Sequence, residues 1–518
     1  MKRFIPAWYS QNQWWESQAH PFYRKRAITE FDDMISLMSM HYKNNVQFEI
    51  IVLNYNPGLR TFLHRHDLFE ASYWSVFDEI QGFNHQTPQS VDYRELKWPT
   101  GTEFIYTPYL IQAIMNEHCY SNIYFSQDGY LIWIEDYEDK VLCRRYVFDD
   151  RGNLSSMIYY DCEGKQDFIR YMTCDGDWIL EENVKNGTVD VHKKYYHRFK
   201  YHQYSSMVTV IQEYLHDYCA TSTEQDDIIF VASDVRHNTL IAQSFNHHRL
   251  CYSVFKQRNQ DLNEKALASM TIGQNWLVDT LENEQKLNAY KTKQRLSNRL
   301  MRITPFDAQT MSNISSQLHE TYIGLWIDGL SEAKLKALMS QCVQYMKDHE
   351  SMRIVLMSKM ERHHISQWLL NEINVINDQF NGKSDVSEEI AELMKEDETI
   401  DYVELKIVPF EIDIVEAIST LRIMVDLSEE PDLFLQICCL GAGLPQINQR
   451  QTDYVQHGAN GLVITTDESL IGALDYFLAH LKHWNYSYAY AQKLSKIYAS
   501  EKIIEQLDQL IEGEYSGA

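Results

Sequence analysis

Along most of the chain, short apolar runs alternate with stretches whose apolar residues recur at helical spacing. Residues 3–8 and 47–53 read as strands, and between them residues 28–40 carry Phe31, Met34, Ile35 and Met38 on one helical face. Strand, helix and strand in that order seed a parallel sheet. The alternation resumes with a helix over 208–218, a buried-type strand over 227–232, a short helix over 239–245 and a strand over 250–255. From residue 306 it is most regular, with strands at 322–327, 353–357, 405–408, 422–427 and 461–465. Ser331 is placed to cap a helix whose apolar face is Leu335, Leu338, Met339, Cys342 and Met346. Asp413 is placed to cap a second helix bearing Ile414, Ile418 and Leu421, and a third covers 433–440. Residues 486–511 read as one or two amphipathic helices.

The interval 123–191 follows a different rule. Gly129, Gly152, Gly164, Gly176 and Gly187 punctuate aromatic and β-branched runs, the last four at almost regular spacing. Such turns predict an antiparallel meander. The predicted fold class is therefore α/β, with two doubly wound Rossmann-like domains and an antiparallel all-β insertion in the first. The expected boundaries are 1–120 with 205–305 for the first domain and 121–204 for the insertion. The second domain is expected over 306–484, with helices over 485–518 packing back across the domains.

Composition narrows the function classes. A net charge of -26 opposes nucleic acid and anionic lipid at long range. The first apolar stretch is broken by Ser10, Gln11 and Asn12, too soon for a signal-peptide core. The longest apolar-rich run, 433–445, is interrupted by Gln436 and falls short of the roughly 20 residues a membrane helix needs. Nine cysteines without a CxxC pair fit a reducing compartment. The expectation is a cytoplasmic protein without a transmembrane segment, a metal or a cofactor.

Residues 422–463 hold GLP at Gly443, Leu444 and Pro445, and a turn running Gly458, Ala459, Asn460, Gly461, Leu462, Val463. This stretch resembles the donor-binding half of the retaining, nucleotide-sugar-dependent glycosyltransferases of the GT-B type. In that family two glutamates eight positions apart flank a helix start, and the resemblance puts them on Glu430 and Cys438. The second normally accepts hydrogen bonds from both ribose hydroxyls, which a thiol cannot replace. Family glycines that let backbone N–H groups approach the diphosphate fall on Pro431, Asp432 and Leu433. Proline has no N–H to offer, and Asp432 would set a negative charge beside a dianion. Of the family's Arg and Lys that neutralise the diphosphate, Lys334 matches but Gly329 stands in the Arg position. The resemblance implies a degenerate donor site, with no catalytic residue. A shifted register in which Glu429 and neighbouring groups still serve is the other reading of the alignment, and an active retaining transferase using a UDP-sugar, with Glu430 and Lys334 in its donor site, is the alternative function.

The opening residues, with Trp8, Tyr9, the pair Trp14–Trp15 and the Phe31-Asp32-Asp33 segment, resemble the first-protein family of the accessory Sec system of streptococci and related Gram-positive bacteria. That resemblance implies a non-catalytic partner of two sister accessory proteins and a dedicated SecA-type motor, required to export a serine-rich-repeat glycoprotein adhesin. It also implies a place in the cytoplasm, at the inner face of the membrane only through partners. Trp8, Tyr9, Trp14, Trp15 and Asp32 are carried over as candidate contacts to a partner or a sugar. Tryptophans near a strand end can equally pack their loop against the core.

Remaining clusters have plainer explanations. The basic-aromatic run 192–204, with Lys193, Lys194, Arg198 and Lys200, reads as a solvated hairpin edge or partner face. Asp175-Gly176-Asp177 copies a metal-binding triplet but sits where Asp-Gly makes an ordinary hairpin turn. His64, His66 and Asp67 lack a fourth ligand at zinc-like spacing.

Overall fold

The computed structural model describes residues 1–10, 13–16, 21, 32–84, 87–126, 128–304, 306–382, 400–465 and 470–514. The chain divides into two compact units, Met1–Pro305 with Gln506–Ala518, and Phe306–Glu505.

The first unit holds two sheets. Seven parallel strands lie in the order Arg299–Arg302, Asn275–Val278, Arg249–Val254, Ile228–Ala232, Lys2–Ile5, Phe48–Val52, Ser72–Ser75. The chain starts in the middle, moves outward one way and later returns on the other side, so the strand order reverses between Lys2–Ile5 and Ile228–Ala232. The helix expected over 28–40 is seen as Asp33–Lys43, capped by the Asp32 carboxylate, which accepts from the Ile35 N–H at 2.9 Å; residues 28–31 lie outside the described residues. Its buried side includes Met34, Ile35 and Met38.

The second sheet is a ten-stranded antiparallel meander from Glu103–Tyr106 to Gln203–Tyr204, paired in chain order. It begins before residue 121, because Glu103–Tyr106 and Ile111–Ile114 pair ahead of the first turn glycine and, at four residues each, are too short to show a pattern. Its turn glycines are left-handed, and Gly152 is further constrained because a Cβ there would lie 2.2 Å from the Gln89 carbonyl oxygen. The Asp175–Asp177 triplet occupies one of these turns, with Lys194 2.5 Å from Asp177. The run 192–204 becomes the short helix Lys193–Arg198 and the edge strand Gln203–Tyr204, with Tyr195, Phe199 and Tyr204 turned into the core.

The second unit is a six-stranded parallel sheet in the order Val403–Ile407, Met352–Ser358, Thr321–Trp326, Leu421–Asp426, Gln446–Asn448, Gly461–Val463. Both faces are covered: Ile323, Leu325, Ile354, Leu356, Ile423 and Val425 pack into one core, Trp326, Val355, Met357 and Met424 into another. That burial explains the near-continuous apolar strands. Ser331 caps Glu332–Asp348 as its sequence position predicts. Asp413 does not cap its helix: Glu411–Ile418 begins after Phe410, and Asp413 in the first turn reaches back to accept the Phe410 N–H at 3.1 Å. The reach-back arm of a capping box is filled while the cap position itself carries no polar side chain.

Candidate functional site

In an open parallel sheet, ligands bind outside the carboxyl ends of the strands where the strand order reverses. In the second unit that point lies between Thr321–Trp326 and Leu421–Asp426. The segments leaving these strands carry Gly329 in a loop and Lys334 in the first turn of the helix that follows on one side, and Glu430, Pro431 and Asp432 on the other. A Cβ on Gly329 would lie 3.3 Å from that of Ser428, so the two loops touch. The structure thus brings five of the six donor-site positions to one place.

Around Asp432 the strand ends supply a polar network. Asp432 caps helix Leu433–Ala442, accepting the Leu435 N–H at 2.9 Å, and the Lys359 ammonium reaches its other oxygen at 2.5 Å. The Asp432 N–H donates to Asp426 at 3.1 Å, and Asp426 also takes the Ser428 N–H at 3.0 Å and hydroxyl at 2.6 Å. On the neighbouring strand end, Asp328 accepts from the Ser358 hydroxyl at 2.5 Å and the Lys359 N–H at 2.8 Å. Lys334 donates to the Gln449 side-chain oxygen.

The charges are predominantly negative. Burial pushes the Asp426 carboxyl up to about 6, with Asp432 adding to the rise against the hydrogen bonds it accepts. Burial likewise raises Asp328, and Asp432 contributes there too. A helix start is a ready anion site through its free N–H groups; here a carboxylate of the chain already fills it. An incoming diphosphate would meet Asp432 at a repulsion of about 1–4 kcal/mol per charge pair at 4 Å.

Cys438 is elsewhere in character. It is fully buried among Trp326, Met424, Leu435 and Leu444, and burial holds its thiol far above the usual range. Gly329 is exposed and left-handed at φ +76°, a conformation in which an arginine would be strained. Asp328, Ser358, Lys359, Asp426 and Ser428 were not singled out by sequence. The signal they carry is a polar residue ending an apolar strand, as in LWID, VLMSK and IMVDLS.

In the first unit, Tyr9, Trp14 and Trp15 are core residues. The Tyr9 hydroxyl lies 2.5 Å from His237 Nδ1, with the Arg236 guanidinium 5.4 Å over its ring. Trp15 donates to the buried Glu182 at 3.1 Å, and burial pushes that carboxyl up to about 7. Trp8 is half-buried with its ring 4.6 Å from Phe62. Asp32 serves as the helix cap, and burial beside Asp33 raises its carboxyl. Among the described residues, no group of three or more His, Cys, Asp or Glu is arranged to hold a metal ion, and no helix is long and apolar enough to cross a membrane.

Solved structures share the fold. The pneumococcal O-GlcNAc transferase GtfA, a glycosyltransferase solved with UDP and GlcNAc, is similar to this chain at a TM-score of 0.68 over 99% of both chains and 12% identity. A family model for accessory Sec system protein 1 matches residues 1–513. A relative of the same description from Staphylococcus aureus (strain NCTC 8325 / PS 47) is 46% identical over 514 residues, 99% of each chain. The chain belongs to this accessory Sec family. It is also similar to a chain in the crystal structure of accessory secretory proteins 1, 2 and 3 of Streptococcus pneumoniae, at 26% identity and a TM-score of 0.80 over 99% of both.

Proposed function

We propose that the chain is a non-catalytic, glycosyltransferase-like component of the accessory Sec export machinery, working in the cytoplasm. In this reading its two parallel sheets are two doubly wound Rossmann-like domains of the GT-B type, kept as a binding scaffold. It assembles with two sister accessory proteins and passes the glycosylated serine-rich-repeat adhesin to the SecA-type motor. Assembly is supported by the similarity to a chain solved together with its two numbered sisters. The carrying observation is Asp432: its carboxylate caps the helix start where a donor diphosphate would bind and is tied to Lys359.

Titrating the purified chain with a panel of UDP-sugars while following its melting temperature tests the reading. A flat response up to millimolar ligand is expected. A saturable rise with one UDP-sugar, which at a hundredfold excess over Kd would stabilise by about 2.7 kcal/mol, would instead favour an active retaining transferase.

A further inference from the structure

At the amino end of the second unit's sheet, Arg422 carries a charge that no carboxylate among the described residues answers. Its guanidinium carbon lies 3.7 Å from the centre of the Trp484 ring, a stacking distance. The Trp484 indole N–H donates to the Arg422 carbonyl at 2.9 Å, so the ring is pinned to the residue it covers. Trp484 stacks in turn on Tyr488 at 5.6 Å and 16°, and the Tyr488 ring rests against Gly443. Along helix Leu481–Ser495, Leu481, Trp484 and Tyr488 fall on one line by their spacing of three and four.

Two observations mark this ladder as incomplete. Arg422 Nη1 is buried with no hydrogen-bond partner among the described residues. Burial alone lowers the Arg422 pKa, whereas a neighbouring carboxylate would raise it. An arginine without an acid is out of keeping with a chain of 73 acidic and 47 basic residues. Beside it the helix line and the strand start expose apolar side chains: Leu481 is 61% exposed, Tyr488 42% and Ile314 41%. Ile314 borders the strand start, its N–H donating to the Ser419 carbonyl at 2.8 Å. Arginine, tryptophan and tyrosine together are the side chains that anchor protein interfaces.

We propose that the Arg422–Trp484–Tyr488 ladder is a docking surface for a partner protein that sets an aspartate or glutamate carboxylate on the Arg422 guanidinium and an apolar side chain on Leu481 and Tyr488. A single planar cation in an apolar rim suits one carboxylate better than a phosphate-rich surface, which calls for several cations. The inference rests on the reading that this chain works in an assembly with its sister accessory proteins.

The test uses the full chain and the two sister proteins of the same genome, with affinity measured at low and high salt. Wild type is expected to assemble. Arg422→Glu should weaken assembly by about 30-fold or more, Arg422→Lys by about 3- to 10-fold through loss of the planar fork, and Leu481→Asp by about 10-fold. Wild-type binding should fall with salt more steeply than that of Arg422→Glu. Unchanged melting temperatures certify the variants; if Arg422→Glu misfolds, Leu481→Asp decides, since its side chain is exposed. Assembly by wild type, Arg422→Glu and Leu481→Asp with equal affinity overturns the inference and leaves the assembly reading standing. Failure of wild type to assemble overturns that reading and this surface with it. Intact assembly with lost binding to phosphatidylglycerol vesicles in Arg422→Glu assigns the surface to a membrane and also overturns it.

Discussion

Asp426 shows how a single side chain records the state of the candidate site. Its carboxyl is raised from 3.8 to about 6, chiefly by burial. Between those values the folded chain holds a proton that the unfolded chain releases. Stability therefore rises as pH falls through 6 toward 4, and the charged carboxylate costs stability in full above 6. One pKa unit corresponds to about 1.36 kcal/mol, so the cost is on the order of 3 kcal/mol. Asp426→Asn removes this titration while other groups titrate alike in both proteins. The melting-temperature advantage of the variant over wild type should grow between pH 4.5 and 7.5, and a difference independent of pH would show that the carboxylate is not held as described. Asp432 makes the complementary case. Asp432→Ala removes a helix cap worth about 0.5–2 kcal/mol and strands Lys359 among fewer partners. It should lower the melting temperature without giving UDP affinity, because Cys438 remains in the core. A UDP-dependent melting shift in this variant would mean that the carboxylate alone had closed the site.

Helix Leu433–Ala442 connects the candidate site to the fold, since Asp432 starts it and Gly443 ends it. Gly443 is left-handed at φ +71°, and a Cβ there would lie 2.3 Å from the Tyr488 ring. Gly443→Ala should cost about 1 kcal/mol for the backbone conformation and about 1–3 kcal/mol for displaced packing. Gly472 in helix Leu470–Leu478 has open space where a Cβ would go and no positive φ. Gly472→Ala should stabilise by about 0.5–1 kcal/mol. Chemical denaturation of both variants checks the pair, and a similar response would refute the steric account. At this scale the sequence was readable where periodicity was strong. The cap at Ser331 and the apolar face of its helix follow directly from spacing. Strands such as Gln446–Asn448 were not readable: three residues, two of them amides, carry no alternation, and only the neighbouring strand makes them β. The six donor-site positions were readable as substitutions, but not their consequence. That Asp432 caps the helix, that Lys359 neutralises it and that Cys438 faces the core all depend on neighbours distant in the chain.

At the scale of the whole chain, the last helix, Ser500–Glu512, is where sequence order and structural unit part company. Residues from Gln506 onward belong to the first unit, although the preceding two hundred residues build the second. The pattern of Ile503, Ile504, Leu507, Leu510 and Ile511 predicts an amphipathic helix, and all five are buried. Spacing says nothing about which unit receives it; the polar contacts do. Arg299, on the edge strand Arg299–Arg302, donates to the carbonyls of Leu510 and Ile511 at 3.1 and 3.0 Å, satisfying acceptors that a helix end leaves open. Lys2 and Asp508 form an ion pair at 2.6 Å, joining the central strand of the same sheet to the same helix. The helix therefore packs at the amino ends of the sheet's strands, reaching both an inner strand and the edge strand. A charge at fully buried Leu510 should release it, since an unpaired buried carboxylate costs more than the lost apolar contact. In Leu510→Asp, limited proteolysis should speed up across residues 281–302 and leave 321–463 as resistant as in wild type. Equal acceleration in both regions would mean that the last helix supports the chain as a whole, and unchanged cleavage would mean that this side of the sheet is stable without it.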